Sequence, residues 1–198
     1  MAINFRTVTK VDEFMRAIRT KRLLLRDFKE GDWEAVYSYA SDAEVVRYMD
    51  WGPNTIEETQ NFIRRAIARQ QEQPRRGYDL AVVLKSQNMI IGGCGIYVSN
   101  MDNREGWIGY VLNHNFWGQG YATEIAKVLL KFGFDELNLH RIFATCEPAN
   151  IASAHVLEKI GMQREGYLRE NKWAKGKWRD SLVYAILNYE WKRLKSKI

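Results

Sequence analysis

The stretch Asn115-Phe116-Trp117-Gly118-Gln119-Gly120 sets two glycines around one glutamine, directly ahead of a helix-favouring run. The first turn of a helix carries unpaired N–H groups and the positive end of the helix dipole. Glycines let an anion reach those amides with no Cβ in the way. The chemistry this points to is phosphate binding. The plainer reading is a flexible start to a helix, and the glycines alone leave both open. Further along, Asn150 and Ser153 stand one helical turn apart. Asn150 follows Pro148-Ala149 and suits an N-cap, while Ser153 shares a face with Val156, Leu157 and Ile160. A hydroxyl on an inward face needs a partner. Glu170 is a candidate base, with a solvated strand carboxylate as its commoner role. His114 is a weaker candidate, and His140 and His155 read as solvent-facing or locally packed.

These groups need elements to hold them. Arg22 to Phe28 reads as a strand, and Asp32 as the cap of a helix through Trp33 to Ala40. Asp42 to Asp50 reads as a short helical piece. Thr55 and Glu58 form a capping-box pattern ahead of a helix with Ile56, Phe62, Ile63, Ala66 and Ile67 on its apolar face. Three strands follow: Tyr78 to Lys85, Met89 to Val98 and Gly106 to Asn113, joined by short polar turns that imply antiparallel neighbours. Gly92, Gly93 and Gly95 suggest a bend or a close backbone approach in the middle strand. After the glycine loop, Ala122, Ile125, Ala126, Leu129, Leu130, Gly133 and Phe134 recur at helical spacing. His140 to Glu147 is a buried strand, so strand, helix and strand make a right-handed parallel crossover. A second short helix ends at Gly161, and a closing hairpin turns around Lys175-Gly176-Lys177. The fold class is α/β with a mixed sheet.

Composition narrows the functions. The chain has 198 residues, with 46% hydrophobic and 27% charged, which is ordinary globular usage and enough for one domain. The net charge of +6 favours an anionic partner. The charge is dispersed, with its densest clusters at Arg64-Arg65, Arg75-Arg76 and Lys192 to Lys197, so direct nucleic-acid binding is not the main expectation. Cys94 and Cys146 lie far apart in apolar runs, without metal-ligand spacing, and read as buried free thiols of a reducing cytosol, with a disulfide between them left open. The N-terminal stretch through Phe14 has no apolar signal core, and no run reaches membrane length, so a cytoplasmic protein is expected. A dinucleotide fingerprint fails because Thr123 stands where a third small residue belongs, and no Gly-Lys-Ser/Thr of a phosphate loop exists.

From about Arg22 to Leu187 the arrangement resembles the GNAT acyl-CoA N-acyltransferase family. The family's pyrophosphate signature is Gln or Arg, two residues, Gly, any residue, then Gly or Ala. Asn115 departs from its first position, while Gly118 and Gly120 match. The segments "WGQGYATE", "ELNLHRIFA", "NIASAHVLEKIGM" and "REGYLRE" are similar to the branch of RimJ/RimL-like ribosomal-protein N-terminal acetyltransferases. The resemblance implies one GNAT-like domain over 1–198, with a mostly antiparallel sheet, flanking helices and a parallel strand pair that splays apart. It implies acetyl-CoA as acyl donor and no metal. Backbone groups of Tyr110, Val111 and Leu112 would meet the pantetheine arm. Amides of Trp117, Gly118, Gln119, Gly120, Tyr121 and Ala122 would cradle the pyrophosphate. Asn150 and Ser153 match the family's Asn-x-x-Ser near the sulfur.

Many members carry a tyrosine seven residues after that asparagine to protonate the departing thiolate. Leu157 stands there instead, which leaves Ser153, or a water it holds, as the acid or thiolate stabiliser. Glu170 is the candidate base. The expected acceptor is a protein or peptide α-amine, such as a ribosomal-protein N-terminus. The rival acceptors are small amines: an antibiotic, a polyamine or an amino acid. A basic nucleic-acid- or ribosome-binding module, or an acetyl-CoA sensor without turnover, would be non-catalytic alternatives. The sequence leaves the acceptor and the oligomeric state open.

Overall fold

The computed structural model describes residues 17–195. The N-terminal stretch read above for a signal core, and Lys197 of the basic tail, lie outside the described residues. The first strands are β1 (Ile18–Arg19) and β2 (Leu23–Asp27), followed by helices α1 (Trp33–Ala40) and α2 (Ile56–Arg69). Then come β3 (Gly77–Leu84), β4 (Met89–Asn100), β5 (Glu105–Leu112) and α3 (Tyr121–Asp135). The chain closes with β6 (Arg141–Cys146), α4 (Ile151–Lys159), β7 (Gln163–Ala174), β8 (Lys177–Leu187) and α5 (Asn188–Lys195). One eight-stranded sheet runs in the order β1-β2-β3-β4-β5-β6-β8-β7. Every neighbouring pair is antiparallel except β5 and β6.

The alternation in β3 places Tyr78, Leu80, Val82 and Leu84 in the larger core, with Ile125, Leu129 and Leu130 of α3, Leu157 of α4 and Trp191 of α5. Ala81 faces the other way, into a smaller core with Val36 and Tyr39 of α1 and Ile63 and Ala66 of α2. Helices therefore cover both faces, and all of β3 is buried. The capping box at α2 forms as the sequence indicates: Thr55 Oγ1 accepts from the Glu58 amide at 3.2 Å, and Glu58 accepts from the Thr55 amide at 2.7 Å. The two cysteines are free and buried.

Two expectations are corrected. Asp32 does not cap α1 with its side chain. Its carboxylate is drawn back to the Arg26 guanidinium, at 2.6 and 2.9 Å, and to the Lys29 amide. The stretch 42–50 forms successive turns rather than a helix, because one four-residue hydrogen bond, Val46 to Asp42, is followed by three-residue bonds from Arg47 to Glu44 and from Met49 to Val46. Val45 and Val46 still enter the smaller core. Strand β1 and helix α5 add to the elements anticipated from periodicity.

The glycines of β4 mark a close approach. Ile91 bulges out of register between the pairs Gly92–Val82 and Ile90–Val83. A Cβ on Gly92 would stand 2.2 Å from the Val111 carbonyl oxygen and 3.0 Å from the Leu112 Cα. Backbone of β5 blocks it, so no rotamer change relieves the clash. Gly92→Ala is expected to destabilise the fold by about 1–3 kcal/mol, which lowers the melting temperature by roughly 2–4 °C per kcal/mol. A thermal melt that matches the parent protein would contradict this packing.

Candidate active site

β5 and β6 pair over only three positions: Glu105 with Arg141, Gly106 with Ile142 and Trp107 with Phe143. Beyond them β5 runs on to Leu112 and β6 to Cys146, each held by its outer neighbour, β4 or β8. The sheet is thus open from Ile108 and Ala144 onward. Tyr110 of β5 and Ser153 of α4 meet beside this opening, with the phenol oxygen 3.1 Å from the serine Oγ. Burial pushes the Tyr110 phenol up to about 12, against the lowering effect of its bond to Ser153. Tyr110 therefore keeps its proton through neutral pH. Asn150 caps α4, its side-chain oxygen accepting from the Ser153 amide at 3.1 Å. Burial also raises the neighbouring Cys146 thiol, to about 11.

The glycine loop leads from β5 into α3. Gly118 and Gly120 take φ of +72° and +78°, the left-handed region that glycine alone enters cheaply. Gly120 is the N-cap residue of α3, and no side chain caps it. A Cβ on Gly118 would meet nothing within 4 Å. The amides of Gly118, Gln119, Gly120, Tyr121 and Ala122 bond to no protein group among the described residues. This concavity of free N–H groups at a helix start is suited to an anion.

Three expected positions differ. The Trp117 amide is already bonded to the His114 carbonyl at 3.0 Å, so it is not part of the free set. The Trp117 indole instead donates to the Leu112 carbonyl at 2.8 Å, which occupies a β5 group expected to face a ligand. The Val111 carbonyl lies against Gly92 of β4, turned from the opening. Of that trio, Tyr110 has the clearest access, through a side chain that sequence reasoning passed over.

The candidate bases separate. His114 Nδ1 lies 2.6 Å from Asp42 Oδ2, so it ties the loop to the turns after α1. The Glu44 amide, and then His114, hold the Asp42 carboxyl below its ordinary range. His155 is exposed, and His140 is half-buried. Glu170 sits at a bulge in the edge strand β7, with φ of +47°, across β8 from β6. It lines an open cavity of about 750 Å³ with Tyr167, Leu168, Arg169, Asn171 and Asp180. A smaller cavity of about 110 Å³ reaches the end of β6 at Thr145, Cys146 and Glu147, and Asp180 lines both. The carboxylates of the smaller cavity are engaged: Glu147 with Arg179 at 2.7 Å, Asp50 with Lys172 at 3.8 Å, and Asp180 with the Tyr167 hydroxyl and the Glu170 amide. The Glu170 carboxylate has no partner among the described residues. No group of three or more metal-ligating side chains occurs among them. No described helix is long and apolar enough to cross a membrane.

Residues 22–163 match the family described as acetyltransferase (GNAT) domain. The chain belongs to the GNAT acetyltransferase family. It is 40% identical over 174 residues to the uncharacterized N-acetyltransferase YnaD of Bacillus subtilis, covering 88% of this chain and 98% of that one. It is 33% identical over 178 residues to the uncharacterized N-acetyltransferase p20 of Bacillus licheniformis, covering 89% and 99%. The crystal structure of a GNAT-family acetyltransferase from Bacillus anthracis superposes with a TM-score of 0.77 at 38% identity, covering 87% of this chain and 99% of that one. The protein is a GNAT N-acetyltransferase, and the opened parallel pair followed by the glycine loop is where its fold departs from a regular sheet. The splay and the loop answer to the glycines and to the crossover pattern. The Tyr110–Ser153 contact left no signal, because its partners lie 43 residues apart.

Proposed function

We propose that this GNAT enzyme moves the acetyl group of acetyl-CoA to a primary amine, and that the amine is a protein or peptide N-terminal α-amine of the ribosomal-protein type. The observation that carries the reading is the opening between β5 and β6, with Tyr110 and Ser153 beside it and free loop amides at one end. The loop holds the pyrophosphate, with Gly118 and Gly120 giving it room. The pantetheine arm lies in the opening and brings the thioester to Tyr110 and Ser153. Asn150 contributes by fixing the first turn of α4, and so the position of Ser153.

The amine nitrogen attacks the thioester carbonyl carbon, and the C–S bond breaks. The two hydroxyls then face a developing thiolate. Tyr110 supplies the phenol that Leu157, buried to 1% exposure, does not. With its raised pKa, Tyr110 is a stable hydrogen-bond donor, and Ser153 is its relay. The amine's proton leaves through water to Glu170, whose carboxylate is uncommitted in the larger cavity.

The open cavity of about 750 Å³ along the edge of the closing hairpin has room for an acceptor larger than a small amine, such as a peptide. The putative ribosomal N-acetyltransferase YdaF of Bacillus subtilis is 35% identical over 101 residues, half of this chain, and supports the RimJ/RimL-like branch. A polyamine acceptor is the second reading. It rests on the spermidine N(1)-acetyltransferase of Escherichia coli, 24% identical over 168 residues. The free thiols accord with a cytoplasmic setting.

Turnover of acetyl-CoA against N-terminal peptides, spermidine and amino acids tests the acceptor. Peptides are expected to give the highest kcat/KM; a higher value for spermidine would transfer the assignment to polyamines. Ser153→Ala and Tyr110→Phe are each expected to lower kcat by roughly 10–10³-fold with acetyl-CoA affinity little changed. Combining them should cost far less than the product of the two, since the groups act as one pair. Full turnover in both folded variants would remove the pair from the mechanism.

A further inference from the structure

Arg22 stands at the first position of the matched family region, far in sequence from the glycine loop. Its backbone sits just ahead of β2, the carbonyl accepting from the amide of Lys85, the residue after β3, at 3.0 Å. Its side chain crosses to the start of α3. There Nε donates to Glu124 Oε2 at 2.7 Å, and Nη1 donates to the Gln119 carbonyl at 2.9 Å. The guanidinium carbon lies 4.2 Å from the centre of the Tyr121 ring. Glu124 is fixed in turn by the Thr20 hydroxyl at 2.5 Å and the Arg22 amide at 3.2 Å. Burial works against ionisation of Glu124, but the bonds from Thr20 and Arg22 outweigh it and hold the carboxyl low. The guanidinium is thus locked by a carboxylate, a carbonyl and a ring before any ligand arrives.

Nη2 has no partner among the described residues. It lies 3.6 Å from where a Cβ on Gly120 would stand, beside the amides that open α3. The side chain keeps 38% of its area exposed, so its outer edge is accessible. A carboxylate one turn into α3 would repel an arriving phosphate. Arg22 neutralises it and leaves donors over for the ligand.

We propose that Arg22 is a phosphate ligand of this enzyme, its guanidinium closing over the pyrophosphate that the Gly118–Ala122 amides hold from the other side. Planar N–H donors suit two phosphate oxygens at once. Held rigidly, the side chain loses little further freedom on binding. This rests on the acetyl-CoA reading above. The competing role is mechanical: a tie between β2 and α3 that never touches ligand.

Calorimetric titration of CoA and dephospho-CoA, with kcat/KM for acetyl-CoA and acetyl-pantetheine, separates the two. Arg22→Lys keeps a cation for Glu124 and loses the planar donors; Arg22→Gln keeps donors and loses the charge. In both, CoA and dephospho-CoA affinity is expected to fall by roughly 10–100-fold, while kcat/KM for acetyl-pantetheine, which lacks the pyrophosphate, stays within about twofold. Melts without ligand confirm that the variants fold. Equal losses for acetyl-CoA and acetyl-pantetheine would show a mechanical tie and overturn the proposal. Unchanged CoA affinity would overturn it too. A loss seen with CoA but absent with dephospho-CoA would move Arg22 to the ribose phosphate and overturn the pyrophosphate assignment. If the parent protein binds no CoA, the acetyl-CoA reading itself fails, a result distinct from any of these.

Discussion

Two adjacent parallel strands stop pairing after three positions, and the candidate site depends on that. A β-strand inside a sheet exposes N–H and C=O groups that must find partners. Where β5 leaves β6, the Leu112 carbonyl takes the Trp117 indole, and Tyr110 sends its phenol to Ser153. The opening is held by the outer neighbours. β4 pairs with β5 along its length, and β8 pairs with β6 from Arg141 to Cys146. Underneath, Ile125, Leu129 and Leu130 of α3 are fully buried against the sheet, which holds the start of that helix at the mouth.

Close packing and charge then converge on one place. Gly92 lets β5 lie against β4 at Val111 and Leu112, the last residues before the glycine loop. His114 ties the loop to the turns after α1, and Arg22 ties it to β2. The loop therefore joins segments from both helical layers. The start of β8 and the hairpin turn contribute on the acceptor side. Lys175 donates to the Val46 carbonyl at 2.7 Å, and Arg179 bridges to Glu147, so the hairpin rests on the turns that line the smaller cavity.

Local signals were legible and long-range ones were not. The box at Thr55 and Glu58, the alternation in β3 and the helical spacing of α3 are short-range patterns, and each element formed within a few residues of its expected bounds. The crossover from β5 through α3 to β6 followed from element order, and with it the parallel pair. Asp32 shows where local reasoning fails: a sound capping residue was recruited by Arg26, six residues upstream. Val45 and Val46 show another failure, since burial in the smaller core needs apolar side chains but no helix. At the site, Ser153 and the glycines were readable by type and spacing. The phenol of Tyr110 and the guanidinium of Arg22 were not, because their roles come from contacts spanning 43 and 102 residues.

We propose that the opening beyond Trp107 and the free amides after Gly118 together form the acetyl-CoA site. Hydrogen–deuterium exchange with and without acetyl-CoA addresses both parts in one measurement. Those amides make no protein hydrogen bond among the described residues and should exchange quickly in the free protein. Acetyl-CoA is expected to slow exchange in peptides covering Gly118–Ala122 and Ile108–Leu112, with little change in the edge strand β7. Slowed exchange confined to other segments, or none at saturating acetyl-CoA, would place the acetyl-CoA site elsewhere.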